Sequence, residues 1–165
     1  MRRLSAAAIA VFIAALIASP ARAYADCGDP GQDPCAGHVP TVDQVVAIMA
    51  ELTDPHKPTA DKGDIVTPAF SRDEAGTIDN HLRRMDAVHI VPLLFVVTNI
   101  APAPNNFAGA TLATTGSFHQ VSMAKPIVLV DQHGHWFLTH DSAMTAMDAF
   151  WYNARRDDNG TVVVP

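Results

Sequence analysis

The hydrophobic pattern of this 165-residue chain changes its period twice, and that change limits the folds open to it. From residue 41 to 88, apolar residues recur at the three- and four-residue spacing of amphipathic helices. From 93 to 139 they form short β-branched runs separated by turn residues, which is typical of strands. Helical spacing returns after residue 140. Helices that are separated along the chain from a block of strands predict an α+β fold.

Two capping boxes mark the first two helices. Thr41 is followed three residues later by Gln44, and Ser71 is followed three residues later by Glu74. In such a pair, the hydroxyl accepts from one free backbone N–H and the Gln or Glu side chain accepts from another, so the helix begins at a defined residue. The first helix is therefore predicted to begin after Thr41, and the second to run from Arg72 to Val88.

The strand block predicts a meander closed by a third helix. Four runs carry the strand pattern, and they are residues 93–100, 107–118, 126–131 and 135–139. Gln132-His133-Gly134 predicts a tight turn between the last two, and Asp141 or Ser142 is expected to cap the final helix. The predicted fold is a curved antiparallel sheet of about four strands with helices across one face. NTF2-like and cystatin-like folds share that arrangement, a likeness of architecture alone.

The amino-terminal residues have the pattern of a secretory signal peptide. Arg2 and Arg3 precede an unbroken run of small and apolar residues from Ala6 to Ala18. Thirteen residues are too few to span a bilayer, which needs about 20, but they suit the apolar region of a signal peptide. Small residues at alternate positions then allow cleavage after Ala23 or Ala25, the latter favoured, so 1–25 is the predicted signal peptide.

Removal of that segment makes the chain more acidic. It takes three arginines and leaves 8 basic residues against 17 acidic ones, so the net charge moves from −6 to −9. A charge of this sign repels phosphate groups, which argues against a nucleic acid or an anionic membrane surface as partner. It equally suits a soluble domain. The remaining length, roughly 140 residues, is enough for one domain with its own core.

Cys27 and Cys35 are the two cysteines of the chain. The residues between them are rich in Gly, Pro and Asp, which turn the chain back on itself, and an exported protein meets an oxidising compartment. A disulfide is therefore predicted, in preference to a metal site, for which further ligands are missing nearby. The segment 26–40 is expected to be a linker and 41–154 the domain. Residues 155–165 are expected to form a loose tail or a weak edge strand.

Motif residues spread between Pro40 and Ala154 are shared with a known protein family. They are Pro92, Leu93, Phe95, Val97, Thr98, Asn99, Ile100, Pro102 and Ala103, then Gly134, Trp136 and Leu138, then Ser142, Ala143 and Met144, with Pro40, Thr41, Gln44, Asp54, Pro55, Lys62 and Gly63. Together they resemble the low-molecular-weight secreted antigen family of mycobacteria, and Val97–Ile100 is the most specific piece.

The resemblance implies a secreted or cell-wall-associated protein that host immune systems recognise as an antigen. It implies no known enzyme activity, and it brings no catalytic residues to this chain. The chain departs from the family pattern in its cysteine pair, its histidine-rich hairpin and its charged carboxyl tail.

Aromatic residues give the leading candidate for a ligand site. Phe95, Trp136, Phe150 and Trp151 lie in segments predicted to face each other between helix and sheet, where they could line a pocket for a small hydrophobic ligand. Aromatic side chains at such positions more often fill a core, and that interpretation stays open.

Histidines and a serine raise two further hypotheses. His133 and His135 are candidate ligands for zinc or copper, because imidazole binds both metals, but a solvent-exposed hairpin tip explains them equally. His140, Asp141 and Ser142 have the residue types of a hydrolytic triad. Triad members must converge from different elements, however, and a helix cap explains the same residues.

The expected function is that of a secreted, non-enzymatic antigen without a cofactor, which acts through contact with a host or cell-envelope protein. The alternative is a binder of a small hydrophobic ligand in a pocket between helices and sheet. An enzyme on the same scaffold is the third hypothesis. Polar titratable groups converging inside a cavity would favour it.

Overall fold

The computed structural model describes Cys27 and residues 32–115 and 124–154. The helices are α1 (Val42–Leu52), α2 (Arg72–Ala87) and α3 (His140–Ala154), with a short 3-10 helix at Thr59–Asp61. The strands are β1 (Val66–Thr67), β2 (Leu94–Ala103), β3 (Phe107–Thr115), β4 (Lys125–Gln132) and β5 (His135–Thr139). The α+β prediction is thereby confirmed. In these ranges, no helix combines the length and the hydropathy that crossing a membrane requires. The predicted signal peptide, the carboxyl tail and residues 116–118 of the predicted second strand lie outside the described residues.

Both capping boxes are present. Thr41 and Gln44 exchange hydrogen bonds at the start of α1, with N···O distances of 2.8 and 3.2 Å. Ser71 and Glu74 do the same at the start of α2. Hydrogen bonds from Ser71 hold the pKa of the Glu74 carboxyl below its usual range, because they stabilise the charged form.

The sheet has five strands in the order β1-β5-β4-β3-β2 and is mixed. Strands β2 to β5 form the antiparallel meander that the sequence predicts, and β1 adds to β5 in parallel. The expectation of about four strands, all antiparallel, was therefore wrong by one strand. Val66–Thr67 is too short to show an alternating pattern, and its partner lies more than 70 residues away, so no local signal marks it.

Strand β2 extends further than its sequence predicts. Pro102 and Ala103 were expected in the following loop, but they pair with Ala108 and Phe107 of β3. A proline has no N–H to donate, which excludes it from central strands but not from an edge. Because β2 is the edge strand of the sheet, Pro102 costs it no hydrogen bond on its outer side.

Side chains alternate between a covered and an open face of the sheet. The covered face carries buried residues from every strand, namely Val66, Val97, Ala108, Ala110, Leu112, Ile127, Leu129, Trp136 and Leu138. Helix α1 contacts β2 and β5, and α3 contacts β4, β5 and β1. The buried residues of the helices join those of the sheet in one hydrophobic core. The predicted arrangement of helices on one face is thus confirmed.

A β-bulge at Asn99 keeps both parts of β2 in register with that core. The pairing shifts between Thr98 and Ala101, and Asn99 adopts the left-handed conformation with φ of 54°. Before the bulge Val97 faces the core, and after it Ile100 packs there. Without the extra residue, the side chains of β2 beyond Thr98 would point to the opposite face.

The connection from β4 through β5 to α3 contains almost no loop. His133 and Gly134 both have positive φ, as a two-residue hairpin turn of type I′ requires, and the predicted tight turn is confirmed. Helix α3 begins at His140, directly after β5. The expectation that Asp141 or Ser142 caps this helix was wrong. Both lie in its first turn, and the Ser142 hydroxyl accepts from the backbone N–H of Val128 at 2.9 Å.

We predict that the left-handed backbone at position 99 accepts glycine but disfavours a β-branched residue. Asn99→Gly should fold with little loss of stability. Asn99→Val should have a free energy of unfolding about 1–2 kcal/mol lower than that of Asn99→Gly, because a β-branched residue is strained at positive φ. Chemical denaturation measures the difference. Thr98→Val, at an exposed neighbour with ordinary strand geometry, is the control and should change stability by less than about 0.5 kcal/mol. Equal stability of the Gly and Val variants would contradict the prediction.

Candidate functional site

The four aromatic residues of the predicted pocket lie in three places on the covered side of the sheet. Phe95 of β2 and Phe150 of α3 meet with their ring centroids 6.0 Å apart. Trp151 stacks on His81 of α2 at 4.1 Å with nearly parallel rings. All of them belong to the core or pack against it. The structure thus brings Phe95 and Phe150 together and gives the two tryptophans separate partners.

Trp136 has the most unusual surroundings of the four. Its side chain is 3% exposed, and His38 stacks over its ring at 5.7 Å. The His38 Nδ1 atom lies 3.8 Å from a carboxylate oxygen of Asp131. The indole Nε1 is buried and has no acceptor among the described residues. A buried donor without an acceptor costs about 1–3 kcal/mol, so this N–H is a point where a polar ligand atom would be stabilised.

The histidines of the hairpin point to no common ligand. His133 occupies the exposed turn, and the His135 Nε2 atom lies 3.1 Å from the backbone oxygen of Asp64. His135 also contacts the ring of Phe137 edge-on. Within residues 27, 32–115 and 124–154, no group of three or more His, Cys, Asp or Glu side chains is arranged to hold a metal ion.

The triad-like residues are engaged separately. The two ring nitrogens of His140 lie 3.2 Å from the Pro68 backbone oxygen and from a Glu74 carboxylate oxygen. The Ser142 hydroxyl instead accepts from Thr139 Oγ1 and from the Val128 backbone. His140 therefore connects α3 to the segment before α2, and Ser142 joins α3 to the sheet.

The open face of the sheet is partly exposed, and its described residues include no Asp, Glu, Lys or Arg. The described residues that the strand registers place on it include Leu94, Val96, Thr98, Phe107, Gly109, Thr111, Ala113, Pro126, Val128, Val130 and Phe137. Leu94 is 67% exposed, Val96 50% and Val128 40%. Gln132 and His135 continue the face at the hairpin end. The sequence prediction did not include this surface, although the apolar run Leu94–Val97, with no polar residue at alternate positions, could have indicated it.

A pocket that the sequence did not predict opens at the carboxyl end of α1. Its volume is about 610 Å³, and residues of α1, the following loop and the segment before β2 line it. Its wall includes the turn after α1, where the buried Lys62 side chain donates to the backbone oxygens of Leu52 and Asp54 at 2.8 and 3.0 Å. Because these residues are distant in sequence, no single motif marks the pocket.

The predicted disulfide is present. Cys27 and Cys35 are bonded, with their Cα atoms 4.8 Å apart. The segment that follows does not stand apart from the domain, because Val39 packs against the core and His38 covers Trp136. The disulfide therefore closes a short covalent loop just before the residues that cover this end of the sheet face.

Comparison with known proteins supports the resemblance seen in the motif residues. The family model described as "Low molecular weight antigen MTB12, C-terminal domain" matches residues 38–153. The chain belongs to this family.

Curated relatives cover most of the chain. The low molecular weight antigen MTB12 of Mycobacterium tuberculosis (strain CDC 1551 / Oshkosh) is 32% identical over 121 residues, which is 73% of this chain and 70% of that protein. MTB12 of Mycobacterium bovis matches to the same extent, and the MTB12 homolog of Mycobacterium leprae is 29% identical over 72% of this chain and 71% of its own length.

Two of the motif residues that indicate the MTB12 family have a defined structural role in this chain. Asn99, in the most specific motif, supplies the bulge of β2. Lys62 is fully buried and ties the end of α1 to the 3-10 helix. Burial lowers the pKa of the Lys62 ammonium, because a charge in the interior has lost its hydration.

We predict that Lys62→Met destabilises this domain by about 1–3 kcal/mol, because one buried and one partly buried backbone oxygen at the α1 end lose their donor. Lys57→Met is the matched control. The Lys57 ammonium is bound by Glu51 and Asp64 at the surface, and an exposed pair of this kind contributes at most about 1 kcal/mol. Urea denaturation measures both variants, and equal losses would contradict the prediction.

The difference in stability between the wild type and Lys62→Met should also depend on pH. The Lys62 pKa is lowered from 10.5 in the folded state, so the unfolded chain binds more protons in the interval just below that value. Raising the pH from about 7 to about 10 should therefore increase the stability of the wild type relative to Lys62→Met. Because the wild type and Lys62→Met contain the same other lysines, the contribution of those lysines to the pH dependence cancels in the difference. A constant difference across this interval would contradict the assignment.

Proposed function

We propose that this member of the MTB12 family is a secreted, non-enzymatic protein that acts by contact with a protein of the cell envelope. Export rests on the signal-peptide pattern of residues 1–25, and the names of the relatives add that such proteins are recognised as antigens. A protein displayed outside the cell or in the cell wall is accessible to host immune recognition. Antigenicity is then a consequence of location rather than the molecular function.

The observation that carries the contact proposal is the open face of the sheet. Contiguous exposed apolar surface is uncommon on a soluble monomer and marks interaction sites. None of the eleven residues named above for this face is Asp, Glu, Lys or Arg, although the chain as a whole is acidic. A face that carries no net charge within an acidic surface suits a partner that is itself apolar at the contact.

The chemistry of the candidate triad supports a non-enzymatic role. The His140 ring is directed at Pro68 and Glu74, and the Ser142 hydroxyl serves the backbone of β4. Neither group activates the other, so a hydrolytic mechanism would need a different nucleophile and base.

The test compares two valines of similar exposure. Val96 on the open face is 50% exposed and Val42 at the start of α1 is 47% exposed. Val96→Lys should reduce binding of the purified mature protein to an isolated cell-wall fraction at least about tenfold, because a charge at an apolar contact must be desolvated. Val42→Lys should leave binding unchanged, and near-UV circular dichroism checks that both variants are folded.

Two results would overturn the proposal. Equal retention of the Val96 and Val42 variants would remove the open face from the contact. Export is tested separately, by mass spectrometry of the protein from culture medium, which should show an amino terminus created after Ala25 or Ala23. Recovery of uncleaved chain from the cell interior alone would contradict export.

A second candidate function, binding of a small hydrophobic ligand between helices and sheet, is favoured by one observation. The buried Trp136 N–H has no acceptor among the described residues, and a ligand with one carbonyl or hydroxyl oxygen would supply it. NTF2-like and cystatin-like folds, whose layers resemble this arrangement, offer such an interior site. The likeness rests on architecture alone.

We predict that a hydrophobic fluorescent probe binds the folded domain without loss of its near-UV signal if this second function holds. Trp136→Phe keeps the apolar ring but removes the N–H, and should weaken binding of a carbonyl-containing probe about three- to tenfold. Trp151→Phe, which changes the tryptophan stacked on His81, is the control. Absence of probe binding, or equal effects of both variants, would exclude a site at Trp136.

A further inference from the structure

The pocket at the end of α1 lies apart from both the open face and the aromatic residues discussed above. Its lining comes from three segments, and the residues are Ala50, Glu51, Thr53, Asp54, Pro55, His56, Lys57, Asp86, Val91, Pro92 and Leu93. A volume of about 610 Å³ falls in the range of sites that hold small organic molecules. Nothing in the contact role proposed above uses it.

One side of this pocket is apolar and rooted in the core. Val91 is buried, and Leu93 packs partly against the hydrophobic core. Pro92 and Pro55 add rigid apolar surface, and Ala50 contributes only a methyl group from α1. These residues offer a hydrophobic ligand contact on side chains that have little freedom to lose on binding.

The charged residues of the lining carry excess negative charge, since Glu51, Asp54 and Asp86 outnumber Lys57. Lys57 is the one Lys or Arg of the lining, and its ammonium is already bound by Glu51 and by Asp64 outside the pocket. The Asp54 carboxylate accepts a hydrogen bond from the His56 backbone at 2.8 Å and forms no close ion pair among the described residues, although it attracts the buried Lys62 ammonium. The Asp86 carboxylate has neither a hydrogen bond nor an ion pair in the described part of the chain.

The part of the wall formed by the turn after α1 is held in place without a ligand. The buried Lys62 ammonium fixes the backbone oxygens of Leu52 and Asp54, and the Thr53 hydroxyl donates to the Met49 backbone oxygen at 2.9 Å. A preformed wall lowers the cost of ordering the site when a ligand arrives.

We propose that this pocket binds an organic cation, a primary ammonium or guanidinium group carried on an apolar body. The apolar body lies on Val91–Leu93, and the cation faces the acidic rim at Asp54 and Asp86. Charge complementarity selects this class, because an anion would meet two carboxylates and a neutral molecule would leave them without a counter-charge. The inference goes beyond the proposed contact function and does not depend on it.

The test uses three probes of one shape. Hexylammonium, hexanol and hexanoate share the same six-carbon chain and differ in the charge of the head group. Titrations of the ¹⁵N-labelled mature protein should show shifts of the backbone amides of Glu51, Asp54 and Leu93 with hexylammonium. Hexanol and hexanoate should bind at least about threefold more weakly, the size expected of a partly exposed ion pair.

Matched variants separate a local site from the general acidity of the protein. Asp86→Asn should weaken hexylammonium binding about three- to fivefold and reduce its dependence on salt. Asp148→Asn removes the same charge from an exposed position on α3 and should leave binding unchanged. Ala50→Leu fills the pocket from an exposed helical position and should weaken all hexyl probes.

Three outcomes would overturn the proposal. They are the absence of shifts at the lining amides, equal binding of hexanol and hexylammonium, and equal effects of the Asp86 and Asp148 variants. None of them bears on the open face, since the cell-wall binding of Val96→Lys is measured independently. Loss of that contact with intact cation binding, or the reverse, therefore identifies which of the two proposals fails.

Discussion

Burial of a single face of the sheet is the constraint on which the rest of this structure depends. Five strands and three helices share one core, and each strand alternates between that core and the open side. The long edge strand β2 can keep this alternation over ten residues only because the bulge at Asn99 adds one residue to it. The same constraint leaves apolar side chains exposed on the other face, since β-branched and aromatic residues favour strands whichever way they point.

Elements determined by neighbouring residues could be predicted from the sequence, and elements that depend on distant partners could not. The starts of α1 and α2 follow from Thr41 and Ser71, whose partners lie three residues away. The turn at His133–Gly134 is equally local. Strand β1 and the hydrogen bond from Val128 to Ser142 join segments far apart in sequence, and a helix cap was wrongly predicted at Ser142 for that reason.

The candidate sites show the same difference between features that are local in sequence and contacts between distant segments. The four aromatic residues were found because aromatic side chains stand out in a sequence, but their separate partners, such as His38 and His81, come from other segments. The pocket at the end of α1 could not be predicted, because its apolar and acidic sides meet only in the folded chain. Two surfaces of different chemistry result, one apolar and free of charge, the other concave and acidic. The two surfaces share no residue.

The junction between β5 and α3 limits how this domain can open. Thr139 ends the strand and His140 begins the helix, so no residue is left to act as a hinge. The Ser142 hydroxyl, bonded to both Thr139 and the backbone of β4, fastens the first turn of the helix to the sheet. A hinge needs a few residues that can change their backbone angles. The chain therefore has less backbone freedom at this junction than on the α1 and α2 side, where loops separate the helices from the strands.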